Sequence, residues 1–214
     1  MTQQLDIDFV SDVACPWCAV GLYSLAEALP RLGDAVSVRV RFRPFELDPD
    51  VGPEGEATDE YLARKYGASS AQLQMAREAI AQRGAGVGFV FDLDKRKRVF
   101  NTFDAHRLMH WAGQAGRQRE LAGALFKAYF TDGENPGDHA VLIRLADEAG
   151  LDCERARAIL ASGEFAGEVR EMEAWNQRSG IHAVPAVIVS GKYLIQGGEP
   201  PEVFEQALRK IIAQ

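Results

Sequence analysis

The sequence predicts an α/β protein: one four-stranded mixed sheet carrying a large all-helical insertion. Three observations lead there. A strand–helix–strand unit occupies the first 45 residues or so, a run of helical patterns fills the middle of the chain, and a helix, two short strand-like runs and a last helix close it. The outer parts, 1–45 and 163–214, are expected to form one domain with the sheet, and 46–162 a helical insertion beside it.

In the first strand, Leu5–Val10, apolar Leu5, Ile7 and Phe9 alternate with Asp6 and Asp8, and Ser11-Asp12 ends the run. A helical pattern follows, with Cys18, Leu22, Leu25 and Leu29 on one face, stopping near Pro30 to Gly33. The second strand, Val36–Arg43, sets Val36, Val38, Val40 and Phe42 against Ser37, Arg39, Arg41 and Arg43, and Pro44 ends it. A strand, a helix and a second strand this close together imply a right-handed parallel crossover.

In the insertion, Thr58 is read as a helix cap, Ser69-x-x-Gln72 as a capping box, and Asn101 or Thr102 as the cap of a run through Trp111. Arg117–Phe130 is a further helix. Asp138 starts one that ends at Gly150, and Asp152 a short one that ends near Ser162-Gly163. Glu164–Ser179 is helical and closed by Gly180. Ala186–Val189 and Tyr193–Gln196 read as a hairpin around Ser190-Gly191-Lys192, and Pro200-Pro201 opens the last helix.

The bulk numbers narrow the function. With 214 residues, 47% apolar and 26% charged, the chain has the composition of an ordinary globular protein. A net charge of −7 argues against nucleic acid as a partner. No apolar run approaches the roughly 20 residues of a membrane helix, so no membrane partner is expected. The polar start, Met1 to Leu5, lacks a secretion signal, and the expected location is the cytoplasm. Three cysteines do not make a disulfide framework; in a reducing compartment a close pair points to redox, sensing or metal chemistry.

That pair is Cys15-Pro16-Trp17-Cys18. Pro16 suits the first position of a helix, which makes Cys15 the N-cap, with the amides of Trp17 and Cys18 expected to point at its sulfur. The positive helix end then stabilises a thiolate, the species that attacks a disulfide. Cys18, one turn in on the apolar face, is expected to be shielded yet within reach of an exposed Cys15. An exposed attacker with a buried partner is the asymmetry that two-step exchange requires. A structural zinc site wants four ligands, usually as two pairs, and one pair with a lone Cys153 and four scattered histidines does not supply them; no metal is expected. Cys153 reads as a small, partly buried side chain. His106 and His110, four apart on a helix, have no evident third ligand. Trp17 and Phe45 are candidates for an apolar rim around the thiols. Val184-Pro185 precedes a strand-like run, where a proline is tolerated.

The segment Asp8-Phe9-Val10-Ser11-Asp12-Val13-Ala14-Cys15-Pro16-Trp17-Cys18 resembles the active-site signature of DsbA-like thioredoxin-fold oxidoreductases, specifically the FrnE-type subfamily. Arg43-Pro44-Phe45-Glu46-Leu47, Asn101 to Leu108, Gly180 to Pro185 and Ile195 to Pro201 match its pattern too, in order and over nearly the whole chain. The resemblance implies a thioredoxin-like sheet, catalytic Cys15, Cys18 and Pro185, and a cis bond between Val184 and Pro185 packed against the pair. Pro16, Trp17, Val184, Phe45, Asn101 and Gly197 become candidates for substrate contact. One departure stands out. Many thioredoxin-fold proteins hold a buried acid six residues before the attacking cysteine; here that position is Phe9, with Asp8 facing the other way. The proton of Cys18 then depends on water, on Asp12 or on the insertion. Without the histidine of the strongly oxidising DsbA proteins between its cysteines, the couple is expected to be less oxidising than theirs.

The expected function is dithiol–disulfide exchange with protein or small thiol substrates by a monomer or homodimer. It uses the Cys15–Cys18 disulfide and no other cofactor, and glutathione is a candidate thiol substrate. A second reading is a glutathione-dependent isomerase of the 2-hydroxychromene-2-carboxylate type; those chains resemble this one across the insertion but typically carry serine at the position of Cys15. A third is a redox-sensing holdase.

Overall fold

The computed structural model describes residues 3–214. Strand β1 (Gln3–Ser11) and strand β2 (Val36–Pro44) are parallel and joined by the crossover helix α1 (Pro16–Ala28). The chain does not stop at Pro30. It makes a 3₁₀ turn, Leu29–Leu32, in which Pro30 is tolerated near the start, and it breaks at Gly33, whose φ of 83° favours glycine. Strands β5 (Ala186–Val189) and β6 (Tyr193–Gln196) complete a sheet of order β2-β1-β5-β6, antiparallel on the β5 side. The hairpin turn has positive φ at both Ser190 and Gly191, the mirror-image geometry that matches strand twist.

Register between β1 and β2 is marked by charge. Asp6 lies opposite Arg39 and Asp8 opposite Arg41. Arg39 donates to both oxygens of Asp6 at 2.9 and 3.0 Å, while Arg41 and Arg43 both donate to Asp8 at 2.9 and 3.2 Å. The Asp6–Arg39 pair is open to solvent and adds little stability, whereas Asp8 is buried; a one-residue slip would break all of these pairs and turn Ile7 and Phe9 out of the core.

The helical block comprises α2 (Thr58–Tyr66), α3 (Ser70–Ala85), α4 (Phe103–Gln114), α5 (Gln118–Lys127), α6 (His139–Glu148) and α7 (Cys153–Leu160). The Ser69/Gln72 capping box closes α3, and Asp138 and Asp152 cap α6 and α7 through amide hydrogen bonds of 2.8–3.1 Å. Thr58 does not cap α2. Ala57 holds that position, and the Thr58 hydroxyl donates instead to Arg96 O at 2.9 Å. This ties α2 to a two-residue strand pair, β3 (Glu56–Ala57) with β4 (Arg98–Val99), that no alternation in the sequence signalled. Past α5 the helix widens into a π-type turn, Ala128–Asp132. Helix α8 (Ala166–Arg178) packs against both β2 and α4; it begins two residues later than its pattern suggests because Phe165 has a φ of 62°. Helix α9 (Pro201–Ile212) lies against α1.

Phe9 and Val187 of the sheet, Leu108, Leu125, Phe126 and Ile159 of the block, and Phe204 of α9 belong to one continuous apolar core. Sheet and block are therefore joined by shared burial. Arg107 is buried within the block: its Nε donates to Glu164 O at 2.9 Å, its Nη1 to Asp104 at 2.7 Å, and its Nη2 to Ser162 O at 2.6 Å and to Ile159 O. It locks α4 to the α7–α8 connection.

Candidate active site

Cys15 occupies the N-cap of α1 with extended backbone, φ −94° and ψ 112°, and Pro16 is the first helical residue. Two expectations need correcting. First, the helix amides do not cap the sulfur: Cys18 N–H donates to Cys15 O at 3.0 Å, and the Cys15 thiol instead donates to Val184 O at 3.6 Å. Second, Cys15 is not exposed. It is 5% accessible, because the Val184 segment lies over it. Cys18 is fully buried one helical turn below Cys15. Burial drives the Cys18 thiol well above the usual cysteine range, and the adjoining Cys15 sulfur pushes the same way. The two sulfurs thus differ in kind: one faces a cavity, the other is held protonated beneath it.

That cavity is a groove of about 820 Å³ whose floor includes Cys15, Pro16 and Trp17. Phe45 to Pro49 form one wall, Ala183 and Val184 another, and α2 and α3 the third, through Tyr61, Tyr66, Leu73 and Ile80 among others. Trp17 is 37% exposed at the rim. Lys65 is tethered on the α2 wall, 2.7 Å from both Asp48 oxygens and 3.0 Å from Tyr61 OH. Arg96 spans from the ring of Tyr129, 4.9 Å away, to Ala14 O at 3.3 Å.

Of the residues singled out in the sequence, the fold brings Cys15, Pro16, Trp17, Phe45 and Val184 to this groove. The Val184–Pro185 peptide is cis, and Pro185 packs on α1 at Gly21, where an added Cβ would come within 3.2 Å of the proline ring. Gly197 sits behind it, donating its amide to Pro185 O at 2.9 Å with a φ of 96°. Asn101 stands apart from the groove. It accepts from Phe103 N at 2.9 Å and donates to Glu46 and Pro49 O, each at 3.1 Å, and so is a strut at the start of α4. Cys153 lies half-buried at the start of α7. His110 packs against Phe165 with the two rings tilted by 40°, and among the described residues no group of three His, Cys, Asp or Glu side chains could hold a metal ion.

Sequence reasoning missed the extent of one assembly. Asp12 is 1% exposed, and its carboxylate gathers three segments: Ala14 N at 3.0 Å, Leu47 N at 2.7 Å and the Thr102 hydroxyl at 2.7 Å. His106 Nε2 lies 3.5 Å away, an ion-pair distance with loose hydrogen-bond geometry and no other partner. Burial alone would raise the Asp12 carboxyl; His106 and the two amides outweigh it and hold it below the usual range. Burial likewise works against the His106 charge, and Asp12, with Glu173 and Glu46 behind it, reverses that and holds the imidazole above its usual range. Phe9 is fully buried at the position where many thioredoxin folds keep an acid, and Asp8 is ion-paired on the opposite face.

A β2-β1-β5-β6 sheet whose crossover helix opens on a Cys-x-x-Cys pair is a thioredoxin fold, and a helical block between β2 and β5 gives its DsbA-like form. The chain belongs to the DSBA-like thioredoxin domain family, whose profile matches residues 6–209. It is similar to a probable DsbA oxidoreductase from Streptomyces coelicolor at 35% identity and a TM-score of 0.89, with 98% of this chain and 91% of that one covered. The uncharacterized protein YwbO of Bacillus subtilis is 27% identical over 203 residues, 94% of each chain. The cytosolic disulfide reductase DsbM from Pseudomonas aeruginosa, solved with GSH, shares the fold at 16% identity and a TM-score of 0.68, covering 98% of this chain and all of that one.

Proposed function

We propose that this protein is a thiol–disulfide oxidoreductase of the FrnE type, with Cys15 as attacking and Cys18 as resolving thiol. The observation that carries the reading is the unequal sulfur pair: Cys15 opens on the groove, and a fully buried Cys18, its thiol held in the protonated form, lies one helical turn below. The Cys15 sulfur attacks a substrate disulfide, a mixed disulfide forms, and the first substrate sulfur leaves as thiolate. Cys18 then attacks the Cys15 sulfur, the second substrate thiolate leaves, and the protein holds a Cys15–Cys18 disulfide. Two electrons have passed to the substrate, and a thiol donor such as glutathione restores the dithiol. No metal or organic cofactor enters these steps.

Val184, Phe45 and Trp17 border the reacting sulfur and would contact the substrate, with Pro16 beside them and Pro185 and Gly197 shaping the loop; Asn101 acts only through Glu46 and the loop it braces. Protein and small disulfides both fit a groove of this size, and binding of glutathione by a neighbour of the same fold supports a small thiol as electron donor. That neighbour is also named cytosolic, which supports work in the cytoplasm. Among the described residues no helix is long and apolar enough to cross a membrane. The test is reduction of insulin by glutathione. Wild type is expected to accelerate it and Cys15→Ala to leave only the uncatalysed rate; an inert wild type, or an active Cys15→Ala, would overturn the reading.

A further inference from the structure

The thiol groove carries a cation that the protein itself leaves unanswered. The two acids that line the groove are already paired: Asp48 holds Lys65 at 2.7 Å, and Glu46 is held by Arg170 and by Asn101 at 3.1 Å. Arg96 lines the same groove and has no such partner. Its side chain makes one hydrogen bond, from Nη2 to Ala14 O at 3.3 Å, and among the described residues no carboxylate pairs with it. Its Nε is buried without a partner, whereas Nη1 is unpartnered but accessible.

The fold holds this guanidinium in place. In the basic run of residues 95–98, Lys95 pairs with Asp92 at 3.0 Å and Arg98 donates to the Glu54 and Gly55 carbonyls, while Arg96 turns into the groove. Its guanidinium carbon stands 4.9 Å from the ring centre of Tyr129 and 5.2 Å from that of Phe130. Both rings are buried and come from the π-type turn Ala128–Asp132, a local widening of the helix that is frequent at functional sites. Tyr129 OH donates to Arg98 O at 3.0 Å and Asp92 N donates to Phe130 O at 2.9 Å, which fastens the loop bearing Arg96 to its aromatic platform. A planar cation ordered in advance on ring faces, with N–H groups still open, suits a carboxylate. It is also near the reacting atom. Ala14 O is five bonds from the Cys15 sulfur, so Arg96 Nη2 lies within about 10 Å of that sulfur. A carboxylate a few bonds from a substrate sulfur spans that gap.

We propose that Arg96 sets the substrate preference of the thiol groove by pairing with a substrate carboxylate, so that the favoured small substrates are disulfides and thiols bearing a carboxylate a few bonds from sulfur. The exchange chemistry is unchanged. Cys15 attacks the substrate disulfide and one carboxylated thiolate leaves; Cys18 then displaces the other as the Cys15–Cys18 disulfide forms. The guanidinium also offsets, at the point of contact, the repulsion of an anion by a chain of net charge −7.

The proposal rests on the redox reading of Cys15 and Cys18, and its test separates the two. The reduced protein is oxidised by 3,3′-dithiodipropionate or by its diamide, which has the same length and shape without the charge. Each rate constant is taken relative to that of free dithiothreitol with the same disulfide, and the ratio of the two is compared between wild type, Arg96→Met and Arg96→Lys. Because a ratio is read, any general loss of activity cancels. Wild type is expected to favour the carboxylate about tenfold to a hundredfold, the scale of hydrogen bonds to a charged group. Arg96→Met should bring the ratio close to one, and Arg96→Lys, which keeps the charge but not the fork, should fall between. A wild type indifferent to charge, or a folded Arg96→Met with the wild-type ratio, would overturn the proposal and leave the redox reading intact; a wild type oxidised by neither disulfide would overturn both. If the variants do not fold, phenylglyoxal modification of the wild type followed by peptide mapping decides. The thioether 3,3′-thiodipropionate, which cannot exchange, is expected to protect Arg96 where its diamide does not, and equal protection would overturn the proposal.

Discussion

Cys18→Ser is expected to halt exchange at a covalent adduct, with substrate held on Cys15 and turnover reduced by about a hundredfold or more. The reason is geometric. Cys15 lies on the groove floor and reacts first, whereas Cys18 has no accessible surface and can meet only the Cys15 sulfur. Without that second sulfur, release depends on an external thiol reaching a bond roofed by Val184. Intact-mass spectrometry after mixing with a disulfide substrate reads the adduct directly, and dithiothreitol should release it. The same variant separates the competing chemistries. A glutathione-dependent isomerase needs only the exposed end of the site and would keep its turnover. If Cys18→Ser neither accumulates adduct nor loses exchange activity, the two-thiol account fails.

Arg107→Leu is expected to cost about 3–5 kcal/mol of folding stability, the scale for removing one partner from a buried, hydrogen-bonded charge network. One guanidinium serves Asp104 and the carbonyls of Ile159, Ser162 and Glu164. Leucine fills much of the volume but removes all four hydrogen bonds at once and leaves the Ile159 carbonyl, in a buried site, without a donor. Against a total of about 5–15 kcal/mol for a domain of this kind, the loss is large. Urea denaturation checks it: a fall in midpoint with unchanged slope is expected, and a variant within 1 kcal/mol or so of wild type would show that the clamp is dispensable. Because Arg107 is not among the residues lining the groove, the folded fraction should keep its exchange activity.

These two residues illustrate what a sequence discloses and what it hides. Cys15 and Cys18 announce themselves through spacing, the intervening proline and the start of an apolar helical face, all within four positions. Strand alternation placed β1, β2 and the β5–β6 hairpin within about two residues, and Ser69, Asp138 and Asp152 marked helix starts, because each signal is carried by neighbouring residues. No local pattern around Arg107 signals its role; only the fold brings the α7–α8 carbonyls around it. Asp12 is similar. Its carboxylate joins Leu47 and Thr102, separated from it by 35 and 90 positions, and no local pattern encodes that meeting. Thr102 had a plausible local use as a helix cap, but its hydroxyl went to the buried carboxylate. The β3–β4 pair has no sequence signature for a related reason, since two residues are too few to show alternation. The burial of Cys15 has no local signal either, because its cover, Val184, arrives from 169 residues away.

The central claim is that Cys15 and Cys18 form one two-electron couple. Equilibrating the protein across a series of reduced and oxidised glutathione ratios, quenching with an alkylating reagent and mapping the peptides tests it most directly. Both thiols are expected to disappear together in a single transition and to be recovered as one Cys15–Cys18 bond, while Cys153 stays alkylatable throughout. Separate transitions for the two sulfurs, or no bond between them at any ratio, would contradict the claim.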